Sequence, residues 1–260
     1  MQLWKETPGM CGEIPVIEEY IPEKKKSDMA VVIFPGGAYV GRAPHEGKGY
    51  AEFLRDHGIC AFVVQYRVSP HRFPLPLLDA RRAVRTVRAK AAEYGIDKNK
   101  IAVMGSSAGG HLAALTSTYT APIDFEGLDD IDNEDFLPNA QILCYPVILA
   151  PDEEKLAHVG SYQMLLGEKM EEMKHQVAPA ELVTENTPQA FIWHTSDDAG
   201  VNSINSCYYA AALRKHNVPY ELHILPHGAH GLGLAQNQPH VAQWSGLLLN
   251  WFKEIGWMNE

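Results

Sequence analysis

The sequence predicts an α/β fold, a mostly parallel central sheet with helices on both faces. Three observations carry that expectation. Short apolar runs such as Ala30–Phe34 and Tyr220–Leu225 alternate with longer stretches of helical period along the chain. Several of those runs are apolar at consecutive positions, the pattern of strands covered on both faces. Finally, a glycine-rich loop (Pro35 to Tyr39), a serine turn (Ser107), an acidic loop (Asp198) and a histidine loop (His230) each follow a different run. In a parallel sheet such residues meet at the carboxyl ends of the strands, where active sites gather. No repeat or linker interrupts the pattern, so residues 1–260 are expected to form one domain.

Taken in order, residues 1–29 hold an alternating run near 16–21, read as an edge strand, and a lysine-rich solvated turn at 22–26. Ala30–Phe34 is a continuous apolar strand followed at once by Pro35-Gly36-Gly37-Ala38-Tyr39. A glycine-rich loop in that place presents bare backbone N–H groups to an anion, or is a tight turn that needs positive φ. His45, Glu46 and Gly47 precede a helix expected over 49–57. As loop residues, His45 and Glu46 border a substrate pocket or stand as surface polar groups. Residues 59–68 read as strand. Residues 74–94 read as one long amphipathic helix, with Leu77, Leu78, Ala80, Val84 and Val87 inward. The five arginines between Arg72 and Arg88 are expected mostly outward, on a solvated face.

The stretch from Ile101 to Leu115 is the centre of the pattern. It opens as an apolar strand, turns through Gly105-Ser106-Ser107-Ala108-Gly109 and continues as an alanine- and leucine-rich helix. The turn fits G-x-S-x-G with Ser107 in the central place. That motif lifts a serine hydroxyl above the sheet edge, beside the positive end of the following helix. Ser106 stands one place early, with its side chain expected to point elsewhere. The remaining catalytic parts are then sought downstream in the order acid, histidine.

Beyond the serine helix, 123–139 reads as an acidic loop and 140–145 as strand. Residues 151–175 carry Met164, Leu165, Leu166, Met170 and Met173 among charged residues. So many soft apolar side chains suggest a cap over a pocket, an insertion of about 151–186, with a plain connecting helix pair as the alternative. Residues 190–194 are strand and lead into Asp197 and Asp198. Residues 202–216 are helix, with Tyr208, Tyr209, Ala212 and Leu213 on the core side. Residues 220–225 are the last strand, ending in Pro226-His227-Gly228-Ala229-His230-Gly231, and 241–255 the closing helix.

Composition narrows the function classes. With 46% hydrophobic and 21% charged residues over 260 positions, the chain has an ordinary globular make-up and buries a large core. A net charge of −10 argues against nucleic acid and anionic membranes as partners and suits a neutral or cationic substrate. The four cysteines, Cys11, Cys60, Cys144 and Cys207, form no C-x-x-C pair, and Cys60 and Cys144 lie in apolar runs, so buried free thiols are expected. No H-E-x-x-H or comparable ligand cluster appears, and neither metal nor organic cofactor is expected. The N-terminus lacks the basic start and apolar core of a signal peptide, and no run reaches membrane-spanning length. The expected setting is cytoplasmic.

The segments Pro-Gly-Gly-Ala-Tyr, His-Glu-Gly, G-S-S-A-G-G-H, W-H-T-x-D-D and H-G-x-H-G resemble, over nearly the whole chain, the small acetyl esterases and acetylxylan esterases of the α/β-hydrolase superfamily. The resemblance implies the α/β-hydrolase fold with a short cap insertion. Carried over by position, it implies Ser107 as nucleophile, Asp198 as the orienting acid and His230 as the base. Asp198 is preferred to Asp197 because the family pattern H-G-x-x-D-x-x-V aligns His194 to Val201. His230 is preferred to His227 on the match of Ala-His-Gly-Leu-Gly. The family's H-G-G-G loop begins here with Pro35 and has Ala38 at its third glycine. Since the donors there are backbone N–H groups, these changes need not remove them.

The implied chemistry is serine ester hydrolysis through an acyl-enzyme, with His230 as proton acceptor and Asp198 holding the imidazole. Backbone N–H groups of Ala108 and of Gly37 or Ala38 are expected to form the oxyanion hole. Tyr39, His45 and Glu46 are expected at the substrate, with Tyr39 narrowing the acyl side. The expected substrate is a small ester, chiefly an acetylated carbohydrate. A small-molecule amidase such as a formamidase, a peptidase of the same fold, and a non-catalytic binding protein are the alternatives.

Overall fold

The computed structural model describes residues 1–9, 12–124, 129–152 and 155–259. Among them seven strands form one sheet: β1 (Val16–Tyr20), β2 (Ala30–Phe34), β3 (Cys60–Gln65), β4 (Ile101–Ser106), β5 (Ala140–Cys144), β6 (Gln189–Thr195) and β7 (Tyr220–Leu225). Their spatial order is β1-β3-β2-β4-β5-β6-β7. β1 runs antiparallel to β3, and the other neighbours pair in parallel. The helices are α1 (Pro44–Asp56), α2 (Leu75–Ala89), α3 (Ala91–Tyr94), α4 (Ala108–Thr118), α5 (Val159–Leu166), α6 (Met170–Met173), α7 (Ile204–Lys215) and α8 (Pro239–Glu254). This is the α/β-hydrolase architecture that the sequence predicts. None of these helices is long and apolar enough to cross a membrane.

Strand pleating explains why the central runs are apolar throughout. In β2, Val32 and Phe34 pack into one core with α2, α4 and α7, while Val31 and Ile33 face a second core with α1 and α8. Each such side chain removed from water contributes roughly 1.5–3 kcal/mol. The central strand β4, which delivers Ser107, is buried at all its positions and flanked by β2 and β5. It is held on both sides and above and below, so the turn at its end has little freedom.

Three expectations need correction. The helix read over 49–57 begins at Pro44, so His45 and Glu46 lie in its first turn rather than in a loop. Pro44 presets the helical φ at a position whose N–H has no intrahelical partner. The arginine face of α2 is not solvated: Arg81, Arg82, Arg85 and Arg88 are buried. Arg82 bonds Asp129 at 2.6 Å and Asp132 at 2.9 Å, and Arg81 donates to the carbonyls of Tyr119 and Ala121. Arg85 and Arg88 donate to the carbonyls of Glu134 and Leu137. The segment read as an acidic loop thus lies on α2, and fixed guanidinium donors satisfy backbone carbonyls that no strand or helix pairs. Its residues 125–128 lie outside the described residues. Lastly, Tyr208 on α7 is 53% exposed, whereas Tyr209 and Leu213 are in the core.

The segment between β5 and β6 carries α5 and α6 with short 3-10 turns around them. It is tied to the body where the Phe73 N–H donates to Leu165 O at 2.8 Å and the Arg72 guanidinium to the carbonyls of Gln163 and Met164. Leu165 and Leu166 are buried, and Met164, Met170 and Met173 pack against the same core as α2 and α4. Residues 153 and 154 at its start lie outside the described residues, as does Cys11. Cys60 and Cys144 are buried free thiols, and Cys207 is free and partly exposed.

Candidate active site

The site forms where β4 gives way to α4. Ser107 has φ 54° and ψ −121°, a positive-φ conformation that costs a non-glycine residue about 1–3 kcal/mol. The surroundings hold it there: the Ser107 N–H donates to Cys144 O, and its carbonyl accepts from His111 and Val147. The turn demands glycine on both sides, because a Cβ at Gly105 would strike the Gly109 carbonyl and one at Gly109 the Phe34 carbonyl. Ser106, by contrast, is fully buried with Oγ 2.9 Å from the Tyr50 hydroxyl.

His230, on the loop after β7, has Nε2 2.8 Å from Ser107 Oγ and Nδ1 2.7 Å from Asp198 Oδ2. A carboxylate only accepts, so Nδ1 carries the proton and Nε2 is the acceptor for the serine hydroxyl. Asp198 Oδ1 accepts the N–H groups of Gly200 and Val201 at 2.8 and 2.9 Å. Burial alone would raise its pKa, but hydrogen bonds from His194, His230 and the Val201 N–H outweigh it and hold the carboxyl well below the usual range. His194 in β6 donates Nε2–H to Val201 O and lies 3.3 Å from Asp198 Oδ2, so it steadies the acid loop from beneath. The neighbouring residues form a different pair. Asp197 bonds His227 Nδ1 at 2.9 Å and the Gly228 N–H at 2.8 Å, and the His227 side chain is 85% exposed.

The glycine-rich loop after β2 runs alongside. Gly37, Ala38 and Tyr39 have φ of 137°, 53° and 58°. Ala38 therefore takes the left-handed conformation that a glycine would adopt more cheaply. A Cβ on Gly36 would lie 3.1 Å from Ser107 Cβ, so this loop passes directly beside the serine. Among the described residues, the N–H groups of Gly37 and Ala38 find no protein acceptor. Ala108 opens α4, where backbone N–H groups have no intrahelical acceptor.

Two of the three residues expected at the substrate, Tyr39 and Glu46, are placed otherwise. Tyr39 is 1% exposed, with its hydroxyl 2.7 Å from His111 Nδ1, so it reaches no substrate without a rearrangement of the core. Glu46 is 2% exposed and accepts the Gly36 N–H at 2.9 Å and the Tyr145 hydroxyl at 2.8 Å. His45 is exposed and holds the Gly231 carbonyl at 2.8 Å through Nε2. Sequence reasoning also missed His158, which precedes α5. Burial first, then the charge of His230, lower its pKa, while Asp198 raises it. Its Nδ1 accepts the Ser161 N–H at 3.1 Å, so the neutral ring carries its proton on Nε2. Nothing in sequence separates such a histidine from an ordinary helix cap.

His111, one turn into α4, joins this layer to the segment above. Its Nε2–H donates to Val177 O at 2.9 Å, and burial lowers its pKa to about 4. It stays neutral when folded but protonates near 6.5 when unfolded, so the unfolded chain binds more protons between those values. Stability from this group is therefore full above pH 6.5 and is lost as pH falls toward 4. Urea unfolding should show a loss of about 2 kcal/mol between pH 7.5 and 5. The loss should be clearly smaller in His111→Gln; an equal loss in both proteins would reject this origin.

The BD-FAE family model matches residues 17–213. The fold is similar to the crystal structure of an acetyl ester-xyloside bifunctional hydrolase from Caldicellulosiruptor lactoaceticus, with 41% identity and a TM-score of 0.93 over 100% of this chain and 97% of that one. In sequence it is 33% identical over 94% of its length to endo-1,4-beta-xylanase B of Butyrivibrio fibrisolvens, covering 39% of that protein. It is likewise 33% identical over 91% of its length to an acetylxylan esterase of Xylanibacter ruminicola, covering 47%. The chain thus spans less than half the length of these two relatives.

Proposed function

Because this chain belongs to the BD-FAE family and is an esterase-type α/β-hydrolase, we propose that it hydrolyses short-chain carboxylic esters, chiefly acetyl groups on sugars or xylo-oligosaccharides. The observation that supports this most is the relay in which His230 lies 2.8 Å from Ser107 Oγ and 2.7 Å from Asp198 Oδ2. His230 takes the Ser107 proton as the hydroxyl oxygen attacks the ester carbonyl, and the imidazolium is held by Asp198. The N–H groups of Ala108 and of Gly37 or Ala38 receive the oxyanion, each donor contributing about 3 kcal/mol to the barrier reduction. His230 then protonates the departing alcohol. Water, deprotonated by the same imidazole, attacks the acyl-serine, and the serine leaves with its proton restored.

The short acyl preference has support from the layer one turn beyond the serine. Tyr39, His111 and Tyr162 are buried there in edge-to-face contact, with centroids 5.7 and 5.3 Å apart. A long acyl chain entering that layer has to displace hydrogen-bonded rings. The sugar half draws on the names of two relatives, an acetylxylan esterase and an acetyl ester-xyloside bifunctional hydrolase. His158 Nε2–H is then a donor for the alcohol side, and the segment that carries it acts as a cap.

Aryl esters of two to ten acyl carbons test the acyl half. A tunnel that buries each methylene would raise kcat/KM about fourfold per carbon. The expected result is a fall from acetate and propionate onward, whereas best turnover on octanoate or longer rejects the acetyl assignment. Acetylated xylo-oligosaccharides test the alcohol half. Faster turnover of aryl amides than of matched esters would favour the amidase reading.

A further inference from the structure

The hydrogen bonds around Glu46 run past its own neighbourhood. This carboxylate, in the first turn of α1, is 2% exposed and pairs with no lysine or arginine side chain in its bonds described above. Its Oε2 accepts the Gly36 N–H at 2.9 Å, from the loop beside Ser107. Its Oε1 accepts the Tyr145 hydroxyl at 2.8 Å. That hydroxyl accepts in turn from the Gly233 N–H at 2.9 Å, on the loop that carries His230. The Tyr145 ring stands edge-on to His230 with centroids 5.1 Å apart, and its φ of 38° holds it in a strained conformation just past β5. Burial, then the charge of Glu46, raise the Tyr145 pKa well above its ordinary value, so the hydroxyl remains a donor to the carboxylate. His45 adds a parallel tie to Gly231 O at 2.8 Å.

A buried carboxylate beside a site that develops an oxyanion is electrostatically adverse to the reaction. Charge stabilisation of the oxyanion is therefore excluded for Glu46, and its hydrogen bonds point to a role through placement. We propose that Glu46 is a positioning residue: with Tyr145 it locks the Gly36–Ala38 loop and the His230 loop into one unit, so that oxyanion donors and base keep a common register on Ser107. The inference rests on the reading of Ser107 and His230 as nucleophile and base. Both Glu46 oxygens must accept. Glutamine keeps one acceptor and turns a donor toward either Gly36 N–H or Tyr145, so one of the two bonds is lost or reversed with almost no change in volume. Glycine at 36 fits the same scheme, since a Cβ there would strike the Glu46 carboxylate and lie 2.7 Å from Ser106 O.

The test compares Glu46→Gln, Tyr145→Phe and the double variant with wild type on an aryl acetate. Active sites are counted by stoichiometric phosphonate labelling, and Ser107→Ala is run in parallel. Misplacement of reacting groups by about 1 Å costs on the order of 100-fold. The expected result is a fall in kcat per labelled site of about 10- to 100-fold in each single variant, with KM within about twofold. The double variant should be no worse than the poorer single, because both act on one link. Full kcat per labelled site in either folded single variant overturns the proposal, as does a loss confined to KM. A loss of labelled fraction alone also overturns it, since a merely structural role lowers the folded population and not the turnover of what remains. If Glu46→Gln does not fold, Tyr145→Phe decides by the same criteria, because it removes only the bridging oxygen. An active Ser107→Ala would instead reject the underlying site reading, whatever Glu46 does.

Discussion

Ser107→Ala is expected to abolish acyl-enzyme formation and to lower kcat on an aryl acetate by on the order of 10⁴- to 10⁶-fold. The size of the effect follows from geometry. Ser107 is the serine at the elbow, with its Oγ 2.8 Å from His230 Nε2, and among the described residues no other hydroxyl shares that contact. Ser106 is adjacent in sequence but is buried as the last residue of β4, bonded to Tyr50. Ser106→Ala should therefore stay within a few-fold of wild type, the residual loss reflecting the Tyr50–Tyr145 contact at 3.2 Å. Stopped-flow burst kinetics and intact mass after phosphonate treatment check both. An unlabelled Ser106→Ala protein beside an active Ser107→Ala would transfer the nucleophile to the other serine.

Asp198→Asn should lower kcat about 10⁴-fold while leaving the fold in place. The N–H groups of Gly200 and Val201 hold an oxygen at the δ1 position, at 2.8 and 2.9 Å. An asparagine keeps that oxygen there and so turns its NH₂ toward His230 Nδ1, where an acceptor is needed. The imidazole must then accept at Nδ1 and carry its proton on Nε2, the tautomer that is unable to receive the serine proton. Asp197→Asn disturbs only an exposed pair with His227, since an amide oxygen can still accept the Gly228 N–H, and should leave kcat within about twofold. Steady-state kinetics with urea unfolding of both variants separate the cases. Comparable kinetic loss from a folded Asp197→Asn protein would contradict this division of roles. Asp198 also gives a pH signature. Its folded pKa lies below the ordinary carboxylate value, so its contribution to stability is full above about pH 4 and is lost as pH falls further. Asp198→Asn should lack that component.

Elements whose signal is local were legible. Runs such as Ala30–Phe34 are apolar at consecutive positions because a central parallel strand is covered on both faces, and their bounds came out nearly as read. The start of α1 was legible too but was missed: Pro44 with Glu46 two places on is a helix-start pattern. The arginines of α2 were not legible. Helical period assigns them to the face away from the sheet, and that face becomes an interior through partners distant in sequence, Leu3 and Trp4 near the N-terminus and residues such as Ala121, Asp129 and Glu134 some 40 to 50 residues on. Tyr208 and Tyr209 show the same difficulty on a smaller scale, since adjacent helical positions point about 100° apart and a period of four admits either.

The amino-acid sequence by itself determined the layered α/β architecture, the positions of the turns, and the order serine, acid, histidine along successive strand ends. Those features depend on spacing and residue type, which local sterics and solvation read directly. Motif spacing singled out Ser107 over Ser106, but it did not determine which neighbour faces the site at Asp197 and Asp198, nor how His227 and His230 divide, for which resemblance had to decide. Adjacent loop side chains point apart by angles that only the folded surroundings set. Here the Asp198 loop is set by the N–H groups of Gly200 and Val201, and by Gly200 leaving room where a Cβ would come within 2.8 Å of His230. Tertiary structure alone likewise moved Tyr39 and Glu46 from an expected substrate contact to the interior. Each was near the site in sequence, but its polar atoms are taken by His111, Gly36 and Tyr145, partners that only the closed sheet brings within hydrogen-bond reach.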